Sequence, residues 1–350
     1  MTNTQWPLSQ PPLYAFSNVT REELEYAELA IIDISKASTE TGRAELASQV
    51  YQAMNQQGFF YVVNHGYTSE QTSRIFSIAK MAFDDVDKSE KELYVGKSTE
   101  VYQGYKPKQT WLINNNIRDQ IEHYNSLLTF ALDFDVRLTL AMLLTRGLEL
   151  PEHTLVRQHQ FDAEGESAVR FMKYFPRTEE EEAKTRHVWL KGHHDIGCLT
   201  VLWSQLVGGL QILSPNGKWR WVKHIDNALL IKEHQVINAG DGLDFLCGGY
   251  YPPTRHRVIR PPADQAKCTR LGVFYFYFAD DDVQLVPHAE SPVLQRVGIK
   301  QFLKPGDVAP TMKEWRKNRV RSYGHTKLTE GAEKGTEEEI VCGVVVKHYT

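Results

Sequence analysis

The sequence is poor in cysteine and has none in a pairing pattern. Its four cysteines, Cys198, Cys247, Cys268 and Cys342, lie far apart and form no CxxC pair. That disfavours a zinc ribbon or a disulfide scaffold and predicts reduced, mostly buried thiols. It also lacks a basic surplus. With 40 Lys and Arg against 44 Asp and Glu, net charge −4, there is no electrostatic pull toward nucleic acid. No apolar run is long enough to cross a bilayer. The start, MTNTQWPLSQPP, has no basic block followed by an apolar one, so no secretory signal and no membrane partner are expected, and the chain reads as cytoplasmic. Internal repeats and low-complexity tracts are missing too.

What is present is an ordinary globular composition, 41% hydrophobic and 24% charged over 350 residues, enough for two domains or one large β-rich domain with helical additions. Residues 1–165 read as a mainly helical N-terminal region with a few strands packing on the core. AIIDIS (30–35) and FFYVVNHG (59–66) are short apolar runs of strand type. Between them Leu46, Val50, Tyr51 and Met54 recur at helical spacing, and Thr68 with Gln71 makes a capping-box pattern for a second helix. A long helix is expected over about 119–147, carrying Leu127, Leu128, Ala131, Leu138, Leu140, Leu143 and Leu144 and anchored through Glu122 and Tyr124. From 166 to 300 the texture changes to many short strands broken by Gly, Pro, Asn and Asp, among them AVRFMKYFP, LTVLW, NALLI and RLGVFYFYF. Such a series predicts a sandwich or jelly roll. Residues 301–350 read as a polar, partly helical C-terminal lid, and the acidic run 178–186 as a solvated loop or exposed helix.

Within the strands, GHHDIGCLT (192–200) sets two histidines beside an aspartate. On a strand, alternation brings His193 and Asp195 to one face and turns His194 to the other. In a loop, geometry alone would not exclude His194. An isolated H-x-D is a weak signal among 13 histidines. It is joined downstream by His256, which enters the alternating strand of TRHRVIRPP, and by Arg270, which opens RLGVFYFYF. From the residues alone, Arg270 reads equally as a strand-end cation paired with Asp264 or as a buried arginine awaiting a planar anion. Two imidazoles and one carboxylate on one face leave half of an octahedral ion open, the ligand set of non-heme Fe(II) oxygenases. The histidine of NHG, His65, is rejected as a ligand; it belongs to a turn in which Gly66 supplies the backbone freedom.

The segments GFFYVVNHG, HHDIGCLTVL, GGLQIL, VINAGD, HRV and RLGVFYF together resemble the 2-oxoglutarate/Fe(II)-dependent dioxygenases of the isopenicillin N synthase-like family, fungal type, from about residue 31 to 282. The resemblance implies an α+β chain with a mainly β core, a double-stranded β-helix (jelly roll) flanked by N-terminal helices. It implies that His193, Asp195 and His256 bind Fe(II) and are catalytic, that Arg270 binds the distal carboxylate of 2-oxoglutarate, and that dioxygen is consumed as 2-oxoglutarate becomes succinate. The expected outcome is hydroxylation of a small organic molecule, with desaturation and ring rearrangement as variants, in fungal secondary metabolism. An iron oxidase that dispenses with 2-oxoglutarate and a non-catalytic jelly-roll binding protein are the competing readings.

Two departures from the family pattern bear on the co-substrate. Gly272 stands where the family's R-x-S motif has serine, and Phe175 where a tyrosine often precedes the proline. Lys173 and Thr200 are the candidates to compensate, one with a charge and one with a hydroxyl. Lys173 could instead mark, with Arg177, the outer face of a half-buried strand. Arg170 reads as a surface residue, Trp203 as core, and Gln103, Tyr105 and Trp111 fall where relatives contact substrate. IKEHQ (231–235) reads as a surface excursion with His234 exposed, and the loops of 95–118 as a cap over the pocket.

Overall fold

The computed structural model describes residues 12–95, 103–126, 134–160, 165–225, 235–322, 328–331 and 336–349. NALLI, His234, Leu127, Leu128 and Ala131 lie outside them, wholly or in part.

Strand-forming runs of aromatic and β-branched residues build two facing sheets. The first has eight strands in the order Ala30–Asp33, Phe59–Val63, Gln235–Ala239, Leu199–Trp203, Arg270–Tyr277, Ala168–Tyr174, Ile121–Ser126 and Gly104–Lys106. The second has seven, in the order Trp219–Trp221, Leu210–Leu213, His256–Ile259, Val188–His193, Val344–Tyr349, Thr336–Val341 and Thr329–Glu330. Within both sheets every named pair is antiparallel except Ala30–Asp33 against Phe59–Val63. This is the jelly roll that the resemblance implied, with helices packed outside. Helix Glu40–Gln56 starts at the Thr39 cap and buries Leu46, Val50 and Met54, while helix Ser69–Asp84 opens with the Thr68–Gln71 capping box. None of the helices among the described residues is long and apolar enough to cross a membrane.

Three expectations are corrected. The long helix over 119–147 is only Phe134–Gly147 among the described residues; Ile121–Ser126 is a strand. Its alternation is real but hidden, because the inward positions after Ile121 are His123 and Asn125, polar side chains that are nonetheless buried. Glu122 and Tyr124 therefore sit on a strand. The strands before 165 do more than pack on the core, since four of them belong to the larger sheet. The third correction concerns residues 301–350, which add more than a helical lid. Helix Met312–Ser322 is followed by the hairpin Thr336–Val341 and Val344–Tyr349, whose second strand pairs with the Val188–His193 strand through Tyr349 and Gly192. The acidic run forms helix Glu179–Thr185, and Glu182 within it is buried, accepting a 2.7 Å bond from the Trp189 indole.

Candidate metal and co-substrate site

His193 ends its strand and stands in register with His256, which begins the neighbouring one. Asp195 follows in the turn toward Leu199–Trp203. The two imidazole Nε2 atoms lie 3.7 Å (His193) and 3.6 Å (His256) from the same oxygen, Asp195 Oδ1. One ligand atom from each of the three lies within 4.8 Å of the others, the one such cluster among the described residues.

The surroundings explain why these atoms converge. His193 Nδ1–H donates to the Lys191 carbonyl at 2.8 Å, and His256 Nδ1–H to the Thr254 carbonyl at 3.1 Å. Each ring is thus fixed by a backbone acceptor two residues earlier, which selects the tautomer with a lone pair on Nε2. Asp195 Oδ2 accepts from the Thr200 hydroxyl at 2.6 Å and from the Asn238 amide at 2.8 Å, which turns Oδ1 toward the rings.

Electrostatics match a cation site. Burial, reinforced by the nearby His256, pushes His193 down to about 3. Burial also works against charge on His256 and on Asp195, but their mutual attraction outweighs it, raising the imidazole and holding the carboxyl below the usual carboxylate range. A divalent ion would need both rings in the neutral form, with Nε2 free to bind. Two neutral nitrogens and one carboxylate oxygen suit Fe(II) and disfavour thiolate-seeking metals.

His194 is not part of the cluster. Its Nδ1 faces Asp241 Oδ1 at 3.6 Å. His65 accepts from the Tyr67 backbone N–H at 3.2 Å within the turn, where Gly66 has φ +92°.

Arg270 lines the same cavity. It is 2% exposed, and its Nε and Nη1 have no hydrogen-bond partner among the described residues. Burial lowers its pKa. The guanidinium sits 5.4 Å from the Tyr174 ring centroid, and Gly209, with φ +133°, passes so closely that a Cβ there would lie 3.3 Å from Arg270 Cδ. Asp264 is not its partner, since that carboxylate accepts from Thr20 and Arg21 instead. A buried guanidinium with orphaned donors is costly unless an acceptor completes it, and a bidentate carboxylate, such as the distal one of 2-oxoglutarate, has the required shape.

Strand Ala168–Tyr174 turns Arg170, Met172 and Tyr174 into the cavity and Lys173 away from it. Lys173 pairs with Asp84 on the helix behind and lies 5.3 Å from the Phe175 ring. The expectation that Lys173 compensates for a lost donor is therefore corrected, and so is the concern over Phe175, because the inward member of KYFP is Tyr174. Thr200 does border the cavity, but its hydroxyl is spent on Asp195. Trp111 lines the cavity; Tyr105 packs on Tyr124 at 4.9 Å, and Trp203 is core against Tyr67.

Sequence reasoning missed Arg170, which is 7% exposed. Its Nε donates to Asn125 Oδ1 at 2.6 Å and its guanidinium lies 4.6 Å from the Phe276 ring centroid. Its even spacing from Met172 and Tyr174 was the available signal. It also missed Asn238, which only the fold brings beside Asp195.

Comparison with known proteins adds to this geometry. Residues 29–133 match the family model "non-haem dioxygenase in morphine synthesis N-terminal", and residues 166–279 match the "2OG-Fe(II) oxygenase superfamily" model. The chain is 28% identical over 232 residues to scopoletin 8-hydroxylase of Arabidopsis thaliana, covering 61% of this chain and 62% of that one. It is 24% identical to the 2-oxoglutarate-dependent dioxygenase tropC of Talaromyces stipitatus, covering 64% and 78%. The fold is similar to that of a full-length Neurospora crassa protein crystallised with alpha-KG and 5-formyluracil, with a TM-score of 0.70 at 18% identity, covering 86% and 99%.

Proposed function

Because this chain belongs to the 2OG-Fe(II) oxygenase superfamily and is a 2-oxoglutarate-dependent non-heme iron dioxygenase, using Fe(II), 2-oxoglutarate and O2, we propose that it hydroxylates a modest-sized, partly apolar organic acid in fungal secondary metabolism. His193, Asp195 and His256 are the proposed iron ligands and Arg270 the anchor of the 2-oxoglutarate C5 carboxylate. The observation that carries the assignment is the convergence of two Nε2 atoms on Asp195 Oδ1, in one cavity with a buried arginine whose donors are unmet.

The chemistry that Fe(II) and 2-oxoglutarate supply when bound is reduction of dioxygen coupled to release of succinate and carbon dioxide. The protein's part is orientation and exclusion of water. The rings of His193 and His256, held by the Lys191 and Thr254 carbonyls, keep the nitrogen donors aimed. Thr200 and Asn238 keep Asp195 ionised and pointed. The aromatic wall of Trp111, Phe274, Phe276 and Phe278 keeps the site dry and favours a substrate with an apolar body. Arg170, on that wall, supplies the positive charge that would select an acidic group on the substrate.

The small-molecule reading also draws on the relatives, whose names include a scopoletin hydroxylase and a fungal dioxygenase. Anaerobic addition of Fe(II) and 2-oxoglutarate to the purified protein tests the assignment: a weak visible charge-transfer band is expected, and metal uptake without a band would overturn it. Screening fungal metabolites for substrate-dependent succinate release tests the substrate class. Turnover of neutral molecules alone would remove the acidic group from the proposal.

A further inference from the structure

Gly272 looks like a loss, a glycine where a donor would be useful. Its surroundings say otherwise. Arg270, Gly272 and Phe274 occupy successive inward positions of one strand. A Cβ built at Gly272 would lie 2.8 Å from Gln205 Nε2 and 2.5 and 2.9 Å from Cε2 and Cζ of the Phe274 ring. The space of a side chain at 272 is already filled, in part by a carboxamide arriving from beyond the end of the Leu199–Trp203 strand.

That carboxamide is itself unusual. Both Gln205 Nε2 and Oε1 are buried and have no hydrogen-bond partner among the described residues. A primary amide offers two donors and a two-lone-pair acceptor, and leaving all of them unmet away from water is unfavourable. Gln205 and Arg270 border one small cavity, together with Ser204 and Leu202, next to the larger cavity that Arg270 shares with His193, Asp195 and His256. The Ser204 hydroxyl is engaged with His224 at 2.8 Å. Two neighbouring groups, one cationic and one neutral, therefore present unmet N–H donors to the same space. A single carboxylate, with two oxygens and one negative charge, would satisfy both.

We propose that Gln205 donates a hydrogen bond to the distal carboxylate of 2-oxoglutarate beside Arg270, and that Gly272 is glycine so that this amide can reach it. The proposal rests on the reading of Arg270 given above. It makes the position of the donor, rather than its presence, the feature that distinguishes this pocket.

The test compares two 2-oxo acids that differ only at the far end. 2-Oxopentanoate carries a methyl group where 2-oxoglutarate carries its C5 carboxylate. Each is titrated anaerobically into the Fe(II)-loaded protein, with the charge-transfer band and titration calorimetry as readouts. Gln205→Met keeps the bulk and removes the amide; it should bind 2-oxoglutarate about tenfold more weakly and 2-oxopentanoate unchanged. Gln205→Glu, close in shape, places a negative charge beside the carboxylate, so it too should lose 2-oxoglutarate selectively. It serves if the methionine variant does not fold.

Equal weakening of both acids would overturn the proposal, because the amide would then be supporting the pocket as a whole. Unchanged binding of both would overturn it as well. Arg270→Ala is run in parallel: if it loses 2-oxoglutarate while the Gln205 variants do not, only the role of Gln205 falls. If Arg270→Ala also retains 2-oxoglutarate, the co-substrate anchor itself has been misassigned.

Discussion

His193 and His256 face each other across one rung of an antiparallel ladder, with ring centroids 4.5 Å apart. The pairing makes the metal site a product of strand register: a slip of one residue would send one ring to the opposite face. Either His193→Ala or His256→Ala should weaken Fe(II) binding by more than about 100-fold, measured as iron retained after desalting. Full retention in either variant would overturn that residue's role.

Thr200 and Asn238 act on the same oxygen of Asp195. Thr200→Val and Asn238→Ala should each lower iron affinity by about 10- to 100-fold, while at saturating iron the 2-oxoglutarate requirement stays as in the parent. If Thr200→Val instead raised the 2-oxoglutarate requirement with iron affinity intact, the hydroxyl would belong to the co-substrate after all.

Arg270 and Lys173 lie on opposite faces of neighbouring strands, and their variants should separate cleanly. Arg270→Ala would remove the proposed pair of charge-assisted hydrogen bonds to the co-substrate and should raise the half-saturating 2-oxoglutarate concentration by about 100-fold. Lys173→Met loses its pairing with Asp84 and its contact with the Phe175 ring, both outside the cavity, and should leave that concentration within about twofold. Steady-state oxygen consumption reads both.

Arg170→Gln tests the acidic group of the substrate. The variant should raise KM for the acidic substrate by about tenfold and narrow the preference for the acid over its methyl ester, with 2-oxoglutarate dependence unchanged. An unaltered acid-to-ester ratio would place the substrate anion elsewhere.

His159 gives a pH dependence that does not involve the iron site. Burial pushes its pKa down to about 4; its Nδ1–H donates to the Leu155 carbonyl at 2.6 Å and its ring stacks on Tyr277 at 4.3 Å. Between the unfolded value near 6.5 and the folded value, the unfolded chain takes up a proton that the folded chain refuses. Stability is therefore lost as pH falls through that window, by about 2 kcal/mol at pH 5 relative to pH 7. Urea unfolding of the parent and of His159→Gln at both pH values should show that difference shrinking in the variant, because all other histidines are common to both proteins. An identical pH slope in the two would overturn it.

Much of the fold was legible because short, aromatic-rich runs punctuated by turn residues have few other ways to pack. The H-x-D spacing and the later histidine were readable as a set, but alternation was not what joins them: the strand ends at His193, Asp195 lies in the turn beyond it, and His256 arrives through strand pairing. The phase of strand alternation was harder. In AVRFMKYFP both sets contain one basic residue, so the pattern alone did not say whether Arg170 or Lys173 faced inward. Strand Ile121–Ser126 escaped for a related reason: its buried His123 and Asn125 disguise a period of two. Gln205 and Asn238 could not be found from sequence at all, because each matters only through a neighbour that the chain reaches by folding.

The strand that carries His193 has one edge facing the C-terminal hairpin, with which it pairs at Gly192 through Tyr349. During synthesis that edge emerges well before its cover does. A nascent chain that has already formed its neighbouring strands still lacks the neighbour on that edge, and an uncovered strand edge is a template for pairing with other chains. Premature stop codons ahead of the hairpin should therefore yield aggregates rather than weak enzymes, and chaperone demand should peak late in translation.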